Sequence, residues 1–174
     1  MLVYKRMSGV DFTSIWEIKI LKELQGENIL RLIKVYFDQG FLCIQMPYYK
    51  SDLSTVIKQH KGLSRNIRIF IYYQITKGLM TLHENFILHW DLKSQNVLVC
   101  GEGNTVLIDF GLSRFYGQNN SPMTRNVQTL YYRAPEILLG ARFYSDKIDI
   151  WSLGCIAAEM ILGKFLFRGE SEVD

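Results

Sequence analysis

Proline and cysteine are scarce in this sequence of 174 residues, with three of each. So few prolines exclude a Pro-rich linker. Cys43, Cys100 and Cys155 are an odd set at wide spacing, without metal-ligand pairing or a disulfide framework. A reducing compartment, nucleus or cytoplasm, is the expectation. Apolar runs of membrane-spanning length are also missing, since the richest stretch, Cys155 to Leu162, contains Glu159. The opening residues lack the apolar core of a signal peptide. Neither sign of charge dominates: 20 Lys and Arg stand against 17 Asp and Glu, a net charge of +3. The basic residues are scattered, so neither a nucleic-acid partner nor a membrane is expected. Repeats and low-complexity segments are absent.

What is present suits a folded domain with a sizeable core. Hydrophobic residues make up 48%, aromatics 13% and charged residues 21%, which excludes disordered and fibrous classes. Residues 2–7 read as a short strand. Ile15, Ile18, Leu21 and Leu24 recur every three and predict an amphipathic helix from Thr13 to Gln25, with Gly26 as its stop. Ile29–Phe37 and Phe41–Met46 flank Asp38-Gln39-Gly40, a hairpin signal. Pro47 closes the second strand. Ser51 is placed to cap a short helix to about Gln59. Ser64 is placed to cap a long one with Ile67, Phe70, Ile71, Ile75, Leu79 and Leu82 on one face.

Beyond that helix the pattern changes. Val97–Cys100 and Thr105–Ile108 flank Gly101-Glu102-Gly103-Asn104, a second hairpin signal. Residues 109–135 have no strong period and read as a long loop, a length usually tied to function or disorder. Ser145 is placed to cap a last helix to Leu162, stopped by Gly163. Its apolar residues lie nearly all round, which predicts burial on more than one side. The expected class is α+β in two lobes, residues 1–50 and 51–174, with a hinge near Pro47 to Ser51.

Three polar clusters sit beside turns rather than on amphipathic faces. They are His89-Trp90-Asp91-Leu92-Lys93-Ser94-Gln95-Asn96, Asp109-Phe110-Gly111 and Tyr132-Arg133-Ala134-Pro135-Glu136. Each alone is weak. In this order, with a hairpin between the first two and a long loop before the third, they are specific.

In these clusters the sequence resembles the eukaryotic protein kinases. In three further stretches it is similar to their cyclin-dependent, serine/threonine branch. Asp11-Phe12-Thr13-Ser14-Ile15-Trp16-Glu17 echoes that branch's P-S-T-A-I-R-E helix. The others are Tyr131 to Gly140 and Asp149-Ile150-Trp151-Ser152-Leu153-Gly154, and the ending from Phe167 to Asp174 is similar too. The resemblance runs from about Leu2 onward and implies a bilobal fold with partial lobes, truncated at both ends.

The resemblance implies transfer of the γ-phosphate of Mg·ATP to Ser or Thr of protein substrates, a reaction that depends on positioning and charge neutralisation. Asp91 is implied to accept the substrate hydroxyl proton, Lys93 to contact the γ-phosphate, and Thr129 to bond both. Asn96 and Asp109 are implied to hold Mg2+, which favours oxygen ligands. Gly111 is implied to let the chain turn after Asp109. Lys5 is implied to grip the α- and β-phosphates and to pair with Glu17. Met46, Pro47 and Tyr49 match the adenine-binding hinge, and Asp52 and Leu98 complete the implied nucleotide site. His89 is implied to pack with Phe110, Leu21 and Leu32, and Asp149 to anchor the catalytic-loop backbone. Thr124 aligns with the family's regulatory phosphosite. Arg133 is implied to occupy the carbonyl of Gln128, which favours Ser/Thr-Pro substrates because proline has no N–H to satisfy. A cyclin-like subunit is an implied partner through the Thr13–Leu24 helix.

The pattern also departs from the family. No Gly-rich phosphate loop precedes Lys5, and the spacing from Lys5 to Glu17 is short. The family's further helices do not follow Leu162 in this sequence. Trp16 and Trp90 stand where the family clamps its phosphothreonine with arginines, leaving Arg114. Phosphorylation of Thr124 is therefore expected to matter less, with the two indoles packing together instead. The alternative function is a catalytically impaired kinase or fragment that serves as a protein-interaction module.

Overall fold

The computed structural model describes residues 2–7, 11–60, 63–116, 130–141 and 143–169, and within residues 2–7 only Lys5 has a described side chain. Strand β1 (Leu2–Met7) is followed by helix α1 (Phe12–Glu23). Asp11 caps this helix by accepting the Ser14 N–H at 2.7 Å. Strands β2 (Lys34–Asp38) and β3 (Phe41–Pro47) form a hairpin closed by Gln39 and Gly40. Both turn residues have positive φ, +49° and +81°, the geometry that matches strand twist and favours glycine. The sheet is antiparallel in the order β1-β3-β2, and Lys5 lies opposite Ile44 in its middle.

A second antiparallel sheet joins β4 (Ser51–Asp52), β6 (Val97–Val99) and β7 (Thr105–Leu107), with β6 central. A third pairs β5 (Ile87–Leu88) with β8 (Arg114–Phe115). These pairings are nested, β6 with β7 inside β5 with β8. Nesting forces residues 89–96 and 108–113, which connect the inner and outer strands, to lie side by side.

The helical part comprises α2 (Leu53–His60), α3 (Arg65–Glu84), α4 (Pro135–Leu138) and α5 (Lys147–Leu162). The main core joins Ile71, Ile75, Leu79 and Leu82 of α3 to Leu153, Ile156 and Met160 of α5, with Ile20 and Leu21 of α1 and Phe110. Full burial of each such side chain stabilises by about 1.5–3 kcal/mol, more than an exposed ion pair at about 0–1 kcal/mol. A satellite cluster holds Leu88, Trp90, Ala134 and Ile148. Among the described residues no helix is long and apolar enough to cross a membrane.

Several local expectations shift. Ile15 of α1 is 55% exposed, while Ser14, Glu17, Ile20 and Leu21 are buried. A spacing of three drifts by about 60° per step on a helix of 3.6 residues per turn, so Ile15, Ile18, Leu21 and Leu24 cannot share one face. Helix α1 ends at Glu23 with Leu24 in extended backbone, so Gly26 is not its stop. Phe70 of α3 is exposed because it lies about 100° round the helix from Ile71, whereas Ile67 is exposed in the first turn although it falls on the buried face. Asp52, not Ser51, caps α2 by accepting the Thr55 N–H at 3.0 Å. Strand β2 starts at Lys34, five residues after the expected Ile29, which instead bridges Leu107. Helix α5 stops at Gly163, φ +68°, as expected. Its burial is one-sided: Ile150, Trp151, Ile161 and Leu162 are exposed among the described residues.

Candidate active site

The loop from His89 to Asn96 is fixed from beneath by Asp149 in the first turn of α5. Asp149 Oδ2 accepts the His89 N–H at 2.8 Å and Oδ1 accepts the Trp90 N–H at 3.0 Å. His83 Nε2 of α3 lies 2.9 Å from Asp149 Oδ2. This buried carboxylate therefore ties α3, α5 and the loop together, in keeping with the anchoring role implied for it. The His89 ring sits 5.3 Å from Phe110, and its Nε2 lies 3.1 Å from the Ile108 carbonyl. Phe110 shares the main core with Leu21, and Leu32 packs against it.

Three of the sequence-expected side chains converge above this support. Lys93 Nζ lies 2.6 Å from Asp91 Oδ2, and Asn96 Nδ2 donates to the Asp91 carbonyl at 2.8 Å. A short 3-10 turn over Ser94–Asn96 presents Asn96. The Ile108 N–H donates to the Asn96 carbonyl at 3.0 Å, which sets Asp109 beside Asn96. Asp109 has φ +65°, a left-handed conformation that Asp tolerates better than most residues and that clusters at functional sites. Among the described residues none donates a hydrogen bond to its carboxylate.

Gly111 does not have positive φ; the left-handed turn falls on Asp109. Space does not require glycine there either, since a Cβ would sit in ordinary van der Waals contact with Thr13 Cβ at 3.5 Å. Thr13 is in the first turn of α1, so that helix packs close over the Asp109–Gly111 turn.

Helix α1 delivers Glu17. Lys5 Nζ lies 2.8 Å from Glu17 Oε2, so the pair forms despite its short spacing. The Glu17 side chain is 8% exposed and that of Lys5 45%. Trp16 and Trp90 do not stack on each other. The Trp16 ring packs edge-on against Phe115 at 5.5 Å, and its Nε1–H donates to Ser113 Oγ at 3.1 Å. Trp90 packs against Tyr144 at 4.9 Å, with the Arg114 guanidinium 5.7 Å from its ring. The indoles face successive residues of β8, whose alternation sends Arg114 and Phe115 to opposite sides.

Met46 and Pro47 end β3, and Met46 packs on the main core. Asp52 and Leu98 are directly paired across β4 and β6. The Asp52 carboxylate is engaged as the cap of α2, accepting also from Ser54 Oγ at 2.6 Å and Thr55 Oγ1 at 2.8 Å. Burial pushes its pKa up, but these bonds more than offset that and hold it below the usual carboxylate value. The side chains of Pro47 and Tyr49 line a separate groove of about 600 Å³ with Phe70, Tyr73 and Lys77. Burial raises the Tyr49 phenol pKa.

One buried polar set was not expected. Tyr132 Oη donates to Glu159 Oε2 at 2.6 Å, and Ser94 Oγ donates to Glu159 Oε1 at 3.1 Å. Burial, then the adjacent carboxylate, pushes the Tyr132 phenol far above its ordinary value. The set joins the loop, the segment ahead of Pro135 and α5. The buried polar residue Glu159 within an apolar helix was its visible signal. Thr124, Gln128 and Thr129 lie outside the described residues. Among those described, no three His, Cys, Asp or Glu side chains cluster to hold a metal.

This arrangement offers a carboxylate beside an ammonium, a carboxylate without a donor among the described residues, and a positioned lysine. Together they can orient a polyanion and take a proton from a hydroxyl. The comparisons agree with that chemistry. The sequence matches the protein kinase domain over residues 3–174. The fold is similar to a chain in the crystal structure of the yeast RNA Pol II CTD kinase CTDK-1 complex, with a TM-score of 0.91 and 31% identity. That match covers 98% of this chain and 58% of the other. The α+β fold with partial lobes is thus that of a kinase, and the chain belongs to the protein kinase family.

Proposed function

We propose that the chain is a serine/threonine kinase of the cyclin-dependent-like branch, acting on Ser/Thr-Pro sites of protein substrates with Mg·ATP. The observation that carries the reading is the Lys93 ammonium 2.6 Å from the Asp91 carboxylate, on a loop anchored by Asp149. The residues fit the cofactor. Asp109 has no described protein donor, and Asn96 lies beside it. One carboxylate with few protein ligands suits Mg2+, which keeps waters and phosphate oxygens in its shell. When bound, Mg·ATP supplies the transferable phosphoryl group and neutralises its charge.

The chain's own residues then divide the work. Asp109 and Asn96 would hold the metal. Lys5, oriented by Glu17, would bind phosphate oxygens through its ammonium. Met46, Pro47 and Tyr49 would meet adenine through their main chain, with Leu98 beneath it and Asp52 toward the ribose. Asp91 would take the proton of the substrate hydroxyl, and Lys93 would balance negative charge nearby. Thr129 would bond Asp91 and Lys93, and Arg133 would favour proline after the acceptor residue. Phosphorylation of Thr124 would have a reduced effect, because Trp16 and Trp90 carry no charge. The lobes would divide at residues 1–50 and 51–174, and the kinase would act in the nucleus or cytoplasm.

A cyclin-like partner fits α1, where Phe12 is 78% exposed beside exposed Ile15. The similar structure is itself that of a complex.

The test is Mg·ATP binding by thermal shift, followed by phosphate transfer to peptides carrying Ser-Pro, Ser-Ala or Tyr. Stabilisation that Asp109→Asn abolishes, with transfer to Ser-Pro, is expected. A folded chain that shows no stabilisation would instead act as a protein-interaction module.

A further inference from the structure

Trp16 precedes the lysine-pairing Glu17, yet its side chain points to a different element. Its indole N–H donates to Ser113 Oγ at 3.1 Å, and Ser113 Oγ donates to the Phe110 carbonyl at 2.6 Å. A hydroxyl that accepts one bond and donates another polarises both. Ser113 is buried, and its N–H also donates to the Phe110 carbonyl at 3.0 Å. Packing reinforces the line: the Phe115 ring meets the Trp16 ring, and Lys19 Nζ lies 5.3 Å and 5.7 Å from the two centroids. A continuous path runs from Glu17 through Trp16 and Ser113 to Phe110, which adjoins Asp109.

We propose that Trp16 and Ser113 are positioning residues. Their hydrogen-bonded relay holds helix α1, with Glu17 on it, in register with the Asp109–Gly111 turn. The relay consists of neutral groups, so it needs no covalent modification and resists salt. Its significance for catalysis rests on the kinase reading above; its existence as a tie does not.

The experiment therefore has a ligand-free part. Backbone amide exchange of residues 17–22 is measured in the whole chain for the wild type, Trp16→Phe, Ser113→Ala, the double variant and Ser113→Thr. Trp16→Phe keeps an aromatic ring and loses the N–H; Ser113→Ala loses the hydroxyl. Each single variant is expected to speed exchange in α1 about five- to tenfold, with α3 as an unchanged internal reference. The double variant is expected to match the singles, because both break one relay. Ser113→Thr, which keeps the hydroxyl, is expected to restore protection. Unchanged α1 exchange, or additive effects without rescue by threonine, would overturn the relay.

The second part measures the Mg·ATP dissociation constant of the same variants, with a five- to tenfold weakening expected in the singles. Normal binding in variants whose α1 has loosened would overturn the positioning role alone. No binding by wild type would count against the kinase reading and leave the exchange result to decide the relay.

Discussion

Asp149 holds Trp90 in a conformation that a bulky residue seldom adopts. The Trp90 φ is +71°, and its N–H is bonded to Asp149 Oδ1 at 3.0 Å. The strain costs roughly 1–2 kcal/mol, and a hydrogen bond to a buried carboxylate contributes roughly 1.5–3 kcal/mol against it. The loop therefore takes its shape from α5 and not from its own preference.

Removing the anchor should be costly. Asp149→Ala strands the amides of His89 and Trp90 and takes a partner from His83, so a loss of about 3–5 kcal/mol is expected by urea titration. An unchanged midpoint would show that the loop holds itself. Trp90→Gly separates strain from packing. Relief of about 1 kcal/mol is outweighed by about 3 kcal/mol of lost indole burial, for a net loss near 2 kcal/mol.

At Asp109, backbone and side chain make separable contributions. Asp109→Asn tolerates φ +65° and should leave thermal stability nearly unchanged. Asp109→Ala should lose up to about 1 kcal/mol, because Asp is several-fold more frequent than alanine in that region. Both should abolish stabilisation by Mg·ATP. Retained stabilisation in either variant would remove Asp109 from metal binding.

The polar clusters were legible because each is a short run whose geometry is local, as with Asp91, Lys93 and Asn96. The nested strands were half legible. Val97–Cys100 against Thr105–Ile108 carried a turn signal, but β5 and β8 are two residues each, too short for any period. The Trp16–Ser113 bond spans 97 residues and the Ser94–Glu159 bond 65, and no spacing rule reaches that far. The buried face of α1 was misread because the face contains Ser14 and Glu17, polar residues buried for a cap and an ion pair. Binary patterning sees only the apolar half of such a face.

The Lys5–Glu17 pair serves stability and function through its two different ends. Lys5 is 45% exposed, so solvent screens its charge, whereas the Glu17 side chain is 8% exposed and would be left without its cation. Lys5→Met should therefore cost about 1–3 kcal/mol of stability and also weaken Mg·ATP binding at least about tenfold, since about 1.4 kcal/mol of phosphate contact suffices for that. Calorimetric titration checks the second value. Equal binding by Lys5→Met and wild type would sink the phosphate-gripping role.

Alkaline pH should weaken the core through Cys155. Burial, and secondarily the Glu159 carboxylate, pushes this thiol from about 9 to about 11. A folded-state pKa raised above the unfolded value means that the contribution is complete below pH 9 and is lost as pH rises toward 11. Up to about 3 kcal/mol is at stake. Tyr132, also raised, begins to act only above its ordinary value near 10, so the interval from pH 9 to 10 isolates the thiol. Urea midpoints across that interval should fall in the wild type and stay level in Cys155→Ala. A parallel fall in both would assign the loss to other groups and place the Cys155 thiol outside the alkaline transition.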